Sequence, residues 1–245
     1  MFHSLHYIEH LIGAACLGFA CGVATLAGQA PRYTIGWQDA AVVGGALITA
    51  VAALRVTPAA VTCAPAPPCD PATLPGIDRW AVSHDSRGAR VGSDIALASV
   101  GAGALFASLA RVGPARARGD AVVFVEAVSW TGAVTEWLKV EVHRARPDVY
   151  RTGGAEAANS AENRESFPSG HTSAAFAAAT AYATLAARQH LPHARRNSLL
   201  LFAGASLVGA LRVAGGKHFP TDVLAGAALD SAVGWSVATL HPMTH

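Results

Sequence analysis

The sequence predicts an all-α protein, a helical bundle of six to seven transmembrane helices folded as a single domain over residues 1–245, and three observations support this. Hydrophobic residues make up 52% of the chain and charged residues only 14%, with 24 glycines among abundant alanine. That balance suits helices that pack closely through small side chains. Seven apolar stretches follow one another, at roughly 9–28, 38–55, 93–111, 119–138, 170–187, 198–213 and 221–240. Basic residues gather in alternate connections: Arg32 in the first, Arg111, Arg116 and Arg118 in the third, Arg188, Arg195 and Arg196 in the fifth. With those three connections cytoplasmic, the positive-inside rule is obeyed, the N-terminus lies outside and the C-terminus inside.

Each element has its own justification. Leu11 to Gly28 carries no charge and approaches the roughly 20 residues needed to cross a bilayer. It reads as an extra N-terminal helix within residues 1–30. A cleaved signal peptide ending at Gly28-Gln29-Ala30 is the alternative, disfavoured because no Lys or Arg precedes the apolar run. Ala40 to Leu54 would rise only about 22 Å as a helix, so flanking residues must complete that span. Glu126 and Asp230 fall inside apolar stretches and are expected to face the bundle interior, either as functional groups or as hydrogen bonds between helices. Cys16 and Cys21 read as small buried hydrophobes. Cys63 and Cys69 flank a proline-rich loop, where a disulfide would place that loop in an oxidising compartment. The net charge of +2, with no Lys/Arg run, sets nucleic acid aside as a partner.

Three polar clusters sit at the ends of apolar stretches within a core of about 93–240. In the first, Lys139 and Arg146 are seven residues apart, so a helix or near-helix stopped by Pro147 would present both on one face to an anion. The bland alternative is an interfacial basic patch. In the second, Ser169 is placed as an N-cap and Gly170 allows close backbone approach, so the helix start can hold an anion. His171 in its first turn can transfer a proton near neutral pH, unless it is incidental to a simple cap. In the third, Gly215 and Gly216 end one helix and Pro220 starts the next, which holds His218 in a short turn. Asp222 lies four residues on and is expected to accept a hydrogen bond from one ring nitrogen of His218, leaving the other free to attack. A purely structural His–Asp pair is the other reading. The assumed topology puts all three clusters on the outer side.

Taken together, Lys139-x6-Arg146-Pro147, Pro168-Ser169-Gly170-His171 and Arg212-x5-His218-x3-Asp222 resemble the three signatures of the type 2 phosphatidic acid phosphatase superfamily. Their order and spacing match over residues 139–222. Leu211 stands where that family usually has serine before the arginine, and the family core usually has three helices before its first signature rather than four. The resemblance implies a metal-independent phosphatase with no cofactor, in which Lys139, Arg146, Arg212, Ser169 and the Gly170 N–H hold the phosphate. It further implies that His218 is the nucleophile that forms phosphohistidine, that His171 protonates the leaving group and then activates water, and that Asp222 orients His218. The implied substrate is a lipid phosphate or pyrophosphate, such as phosphatidic acid or an isoprenyl pyrophosphate. A soluble exported acid phosphatase of the same superfamily, a vanadium-dependent haloperoxidase and a non-enzymatic membrane scaffold remain the alternatives. The mean hydropathy of +0.34 keeps the soluble form in play. Tyr150, Arg151 and Arg164, in the polar loop 148–166, are expected to border the entrance.

Overall fold

Each apolar stretch from the second onward forms a helix. The computed structural model describes residues 32–244 apart from Pro58, Thr62, Pro65 and Arg111. The first stretch at 9–28, with Cys16, Cys21 and the choice between signal peptide and anchor, therefore lies outside the described residues. Helix α1 spans Trp37–Leu54, α2 Gly76–Val82, α3 Arg87–Leu109, α4 Pro114–Val142, α5 Gly154–Ala157, α6 Gly170–Arg188, α7 Ala194–Ala214 and α8 Pro220–Leu240.

The helix ends follow from local chemistry. The Gly36 N–H donates to Asp39 Oδ2 at 2.8 Å to open α1, and Ser86 Oγ accepts from the Ala89 N–H at 3.2 Å to open α3. Pro114 and Pro220 occupy the first positions of α4 and α8, where the missing N–H is not needed. Helix α4 stops at Val142, and His143 follows in the left-handed region at φ 48°. The single helical face expected for Lys139 and Arg146 is therefore not formed: Arg146 lies in the following loop, and the left-handed turn rather than Pro147 ends the helix.

Helix α6 occupies the middle of the bundle, packed by α3, α4, α7 and α8, while α1 packs on α4. Its alanines make this possible: Ala175, Ala177, Ala179, Ala181 and Ala186 are all fully buried. At Gly234 of α8 a Cβ would sit 2.6 Å from the Ala177 carbonyl oxygen, so the two backbones touch. Many large apolar side chains point the other way, although Tyr33, Tyr182 and Leu185 lie in the core. Ile48, Phe106, Leu200, Leu224, Trp235 and Leu240 are each more than half exposed. Small residues inside and large ones outside is the pattern of helices packed in lipid. Among the described residues, α1, α3, α4, α7 and α8 are long and apolar enough to cross a membrane; α6 is the sixth long helix and buries much of its surface among them.

The helices alternate in direction, so the connections fall at two ends. One end holds the loop after α1, the loop between α4 and α6, and the turn between α7 and α8. These are stitched together by Cys69 N–H to Val149 O at 3.1 Å, Arg151 Nε to Val82 O at 2.8 Å and Ser86 N–H to Ala214 O at 3.2 Å. Cys63 and Cys69 form the expected disulfide there. At the other end a two-residue ribbon, absent from the all-α expectation, pairs β1 (Arg32–Tyr33) with β2 (Met243–Thr244). Both intramembrane acids are buried, as expected. Glu126 accepts from His241 Nδ1 at 2.8 Å, while His241 Nε2 meets Thr34 O at 2.9 Å. Both ring nitrogens thus face acceptors, which is the arrangement of an imidazolium, and Glu126 serves a link between chain ends.

The Gly234 contact yields a test. Gly234→Ala gains about 1 kcal/mol of helix propensity but drives a methyl into backbone, where overpacking costs about 1–3 kcal/mol. Thermal unfolding in detergent is expected at lower temperature for this variant. Gly44→Ala, where a Cβ meets nothing within 4 Å, should leave it unchanged or raised. Equal behaviour of the two would refute the tight α6–α8 contact.

Candidate active site

The three sequence clusters meet at the end of the bundle that carries the disulfide. His218 stands in the turn after α7. That turn needs Gly216, whose φ of 65° disfavours other residues and whose Cβ would fall 2.0 Å from the His84 carbonyl oxygen. The His218 side chain is almost wholly buried. Its Nδ1 lies 2.7 Å from the Ser166 carbonyl oxygen. A carbonyl can only accept, so Nδ1 carries the hydrogen and Nε2 keeps its lone pair.

This corrects the expected partnership with Asp222. The Asp222 Oδ2 is 3.8 Å from His218 Nδ1, and the Ser166 carbonyl takes the hydrogen bond instead. Asp222 works on both neighbours of the ring. It accepts from Ser166 Oγ at 2.6 Å and from the Phe219 N–H at 2.9 Å. The i,i+4 spacing favours a direct contact, but a carboxylate with two nearer donors is satisfied without one.

Arg144, which the sequence reading passed over, completes this layer. Its guanidinium pairs with Asp222 Oδ1, with Asp78 Oδ2 at 2.7 Å and with Thr221 Oγ1 at 2.6 Å, and it lies 4.4 Å from the centre of the Phe219 ring. Asp78 also accepts from the Thr221 N–H at 3.1 Å. Helix α2 therefore reaches the site through a buried acid.

The remaining expected residues come from α4 and the loop after it, from the start of α6 and from the end of α7. Arg146 is buried, donates to Glu162 Oε1 at 3.2 Å, and its Nε has no hydrogen-bond partner among the described residues. Arg212 sits in the last turn of α7, buried, with Ser93 Oγ at 3.4 Å and Asp94 Oδ1 at 4.0 Å. Lys139 Nζ holds Glu136 Oε1 at 2.6 Å, and a Cβ at Gly170 would lie 3.7 Å from that same nitrogen. Ser169 does occupy the N-cap of α6, but its Oγ accepts from the Thr172 hydroxyl at 3.0 Å rather than capping a backbone N–H. His171 Nε2 meets Asp94 Oδ1 at 2.8 Å. Asp94 and Ser93 come from α3, ahead of every motif, so no spacing rule in the sequence pointed to them.

The residues expected to border the entrance are engaged within the loops at this end. Arg151 ties loops together through Val82, Asp148 and His84, Tyr150 packs edge-on against Phe219 with centroids 5.8 Å apart, and Arg164 bonds the Ala158 carbonyl at 3.1 Å.

Burial, reinforced by the charges of Arg146 and Arg212, holds the His218 imidazole well below the ordinary range; the Ser166 carbonyl opposes this less strongly. A lowered value means that the neutral ring persists to lower pH, so it does not charge as pH falls through 6.5. Nitrogen-detected NMR of the labelled imidazole in detergent should show one neutral Nδ1–H tautomer at pH 6. Protonation with a midpoint near 6.5 would contradict the described environment.

The carboxylate and imidazole groups of Asp39, Glu126 and His241 form a metal-capable set among the described residues, and it lies at the opposite end of the bundle. Both His241 nitrogens are engaged there, at 2.8 Å from Glu126 Oε2 and 2.9 Å from the Thr34 carbonyl oxygen.

No curated protein matches the sequence. Among solved structures, the chain is similar to a transmembrane PAP2-type phosphatidylglycerolphosphate phosphatase from Bacillus subtilis, at 21% identity and a TM-score of 0.48, covering 84% of this chain and 96% of that one. The family model of the PAP2 superfamily matches residues 120–244, a span that takes in His171, Arg212 and His218. The chain belongs to the PAP2 superfamily.

Proposed function

We propose that the protein is a multi-pass membrane phosphatase that releases phosphate from a lipid phosphate or pyrophosphate through a phosphohistidine on His218. The observation that carries this reading is the buried His218 ring, whose Nδ1–H is committed to a backbone carbonyl, close enough to Arg146 and Arg212 for their charges to act on it. Phosphoryl transfer needs positioning and positive charge around the equatorial oxygens more than it needs new covalent chemistry. Lys139, Arg146 and Arg212 supply that charge, with Ser169 and the Gly170 N–H at the start of α6.

In the first step His218 Nε2 attacks phosphorus in line and the bond to the leaving alkoxide breaks. His171, protonated once the substrate's negative charge enters beside it, gives that oxygen its proton. In the second, His171 takes a proton from water, which attacks the phosphohistidine and frees inorganic phosphate and His218. Asp222 is a positioning residue: it holds Ser166 and Phe219, and these fix the ring. Positive charge already present in the side chains supports a reaction without a metal or cofactor.

The apolar exterior favours a lipid substrate over a soluble ester. The disulfide next to the site, and the short basic connections at Arg116, Arg118, Arg188, Arg195 and Arg196 at the other end, support an active site on the outer face. One experiment covers these points: phosphate release from a lipid phosphate supplied to the outer leaflet of intact spheroplasts in EDTA. Release should persist in the wild type and fall by about three orders of magnitude or more in His218→Ala. Full activity in that variant would exclude the nucleophile, loss in EDTA the metal-free reaction, and release only after permeabilisation the outward orientation.

A further inference from the structure

Arg146 is buried, with its side chain 7% exposed, yet its nearest carboxylate belongs to Glu162, whose side chain is 59% exposed. Glu162 lies in a 3-10 turn, Ala161–Arg164, in the loop between α4 and α6. Its Oε1 is 3.2 Å from Arg146 Nη1 and 3.5 Å from Lys217 Nζ. One carboxylate oxygen thus bridges a cation of the first cluster and the residue next to His218 in the third. The Arg212 charge acts on Glu162 as well. A phosphate oxygen held jointly by Arg146 Nη1 and Lys217 would take the place of this oxygen, on which a guanidinium N–H and an ammonium converge. Lys217 has a second anion in Asp148, 3.6 Å away, and the Arg146 Nε still has no partner among the described residues. Lys217 therefore keeps an anion when Glu162 leaves, while the Arg146 charge is opened to the incoming phosphate. An exposed side chain loses little by moving into water, whereas the buried guanidinium would be costly to leave uncompensated.

We propose that Glu162 is an internal counter-anion that occupies part of the phosphate subsite in the empty enzyme, yields to the substrate, and returns to displace product phosphate. The proposal rests on the reading of this site as a phosphate site. It gives Glu162 a specificity role: it weakens binding of inorganic phosphate, which brings only charge, relative to a lipid phosphate, which also gains from its apolar chain.

Titration of inorganic phosphate into purified protein in detergent, alongside its inhibition of lipid phosphate hydrolysis, tests this. Glu162→Gln keeps the shape and removes the charge; Glu162→Ser removes the reach and serves as a second variant should the first fail to fold. Both are expected to bind phosphate about three- to tenfold more tightly than wild type, with inhibition strengthened to match. Glu162→Asp, which keeps the charge but shortens the reach, should fall between wild type and these variants. Unchanged or weaker phosphate binding in Glu162→Gln and Glu162→Ser overturns the role of Glu162, and a merely structural contact would predict that outcome. Phosphate binding by a wild type that hydrolyses no phosphate ester would instead overturn the phosphatase reading and leave the binding comparison decisive for Glu162.

Discussion

The arrangement of the site depends on one buried carboxylate. Asp222 accepts a hydrogen bond from Ser166 on the α4–α6 loop and another from the Phe219 N–H beside His218, and it pairs with Arg144. Ser166 in turn presents the carbonyl that holds the His218 ring. Arg144 carries the link on to Asp78 in α2. Three segments distant in sequence are thereby fixed around a single imidazole. Inside a bundle of low dielectric such a network is strong when complete, and expensive when a member is lost, because each remaining partner becomes an unsatisfied buried charge or donor.

The bundle gives this network a rigid frame through close contacts between small side chains. Alanine and glycine line the helix contacts, and backbones approach closely enough that α8 meets the Ala177 carbonyl at Gly234. Ile48, Phe106, Leu200, Leu224, Trp235 and Leu240 remain outside. With lipid tails as the surroundings, helix association draws on close packing and hydrogen bonds rather than on escape from water. The same arrangement gathers polar residues at the two ends. One end receives the site and the disulfide, the other the His241–Glu126 link and the short ribbon.

The helices and the site were legible to different degrees, for physical reasons. Six helices could be read from apolar stretches because length and composition alone specify them. The motif residues Arg146, His171, Arg212 and His218 could be read from type and spacing. The course of the chain after Lys139 could not, since the left-handed turn at His143 breaks the helical register that the seven-residue spacing suggested. The partner of His218 was misassigned for a related reason: a sequence displays side chains, and the acceptor is a backbone carbonyl. Arg144, Asp78, Asp94 and Glu162 act across 66 or more residues of sequence or through an exposed loop, and no local pattern marks them among other charged residues.

The central claim concerns the atom that takes the phosphoryl group, and trapping it is the most direct measurement. Protein turning over a ³²P-labelled lipid phosphate would be quenched in alkali, where a phosphohistidine survives, and mapped by peptide mass spectrometry. The account predicts label on the peptide bearing His218, lost on brief acid treatment and absent from His218→Ala. Label on another residue, or steady turnover with none trapped at His218 even when hydrolysis is slowed by His171→Ala, would contradict it.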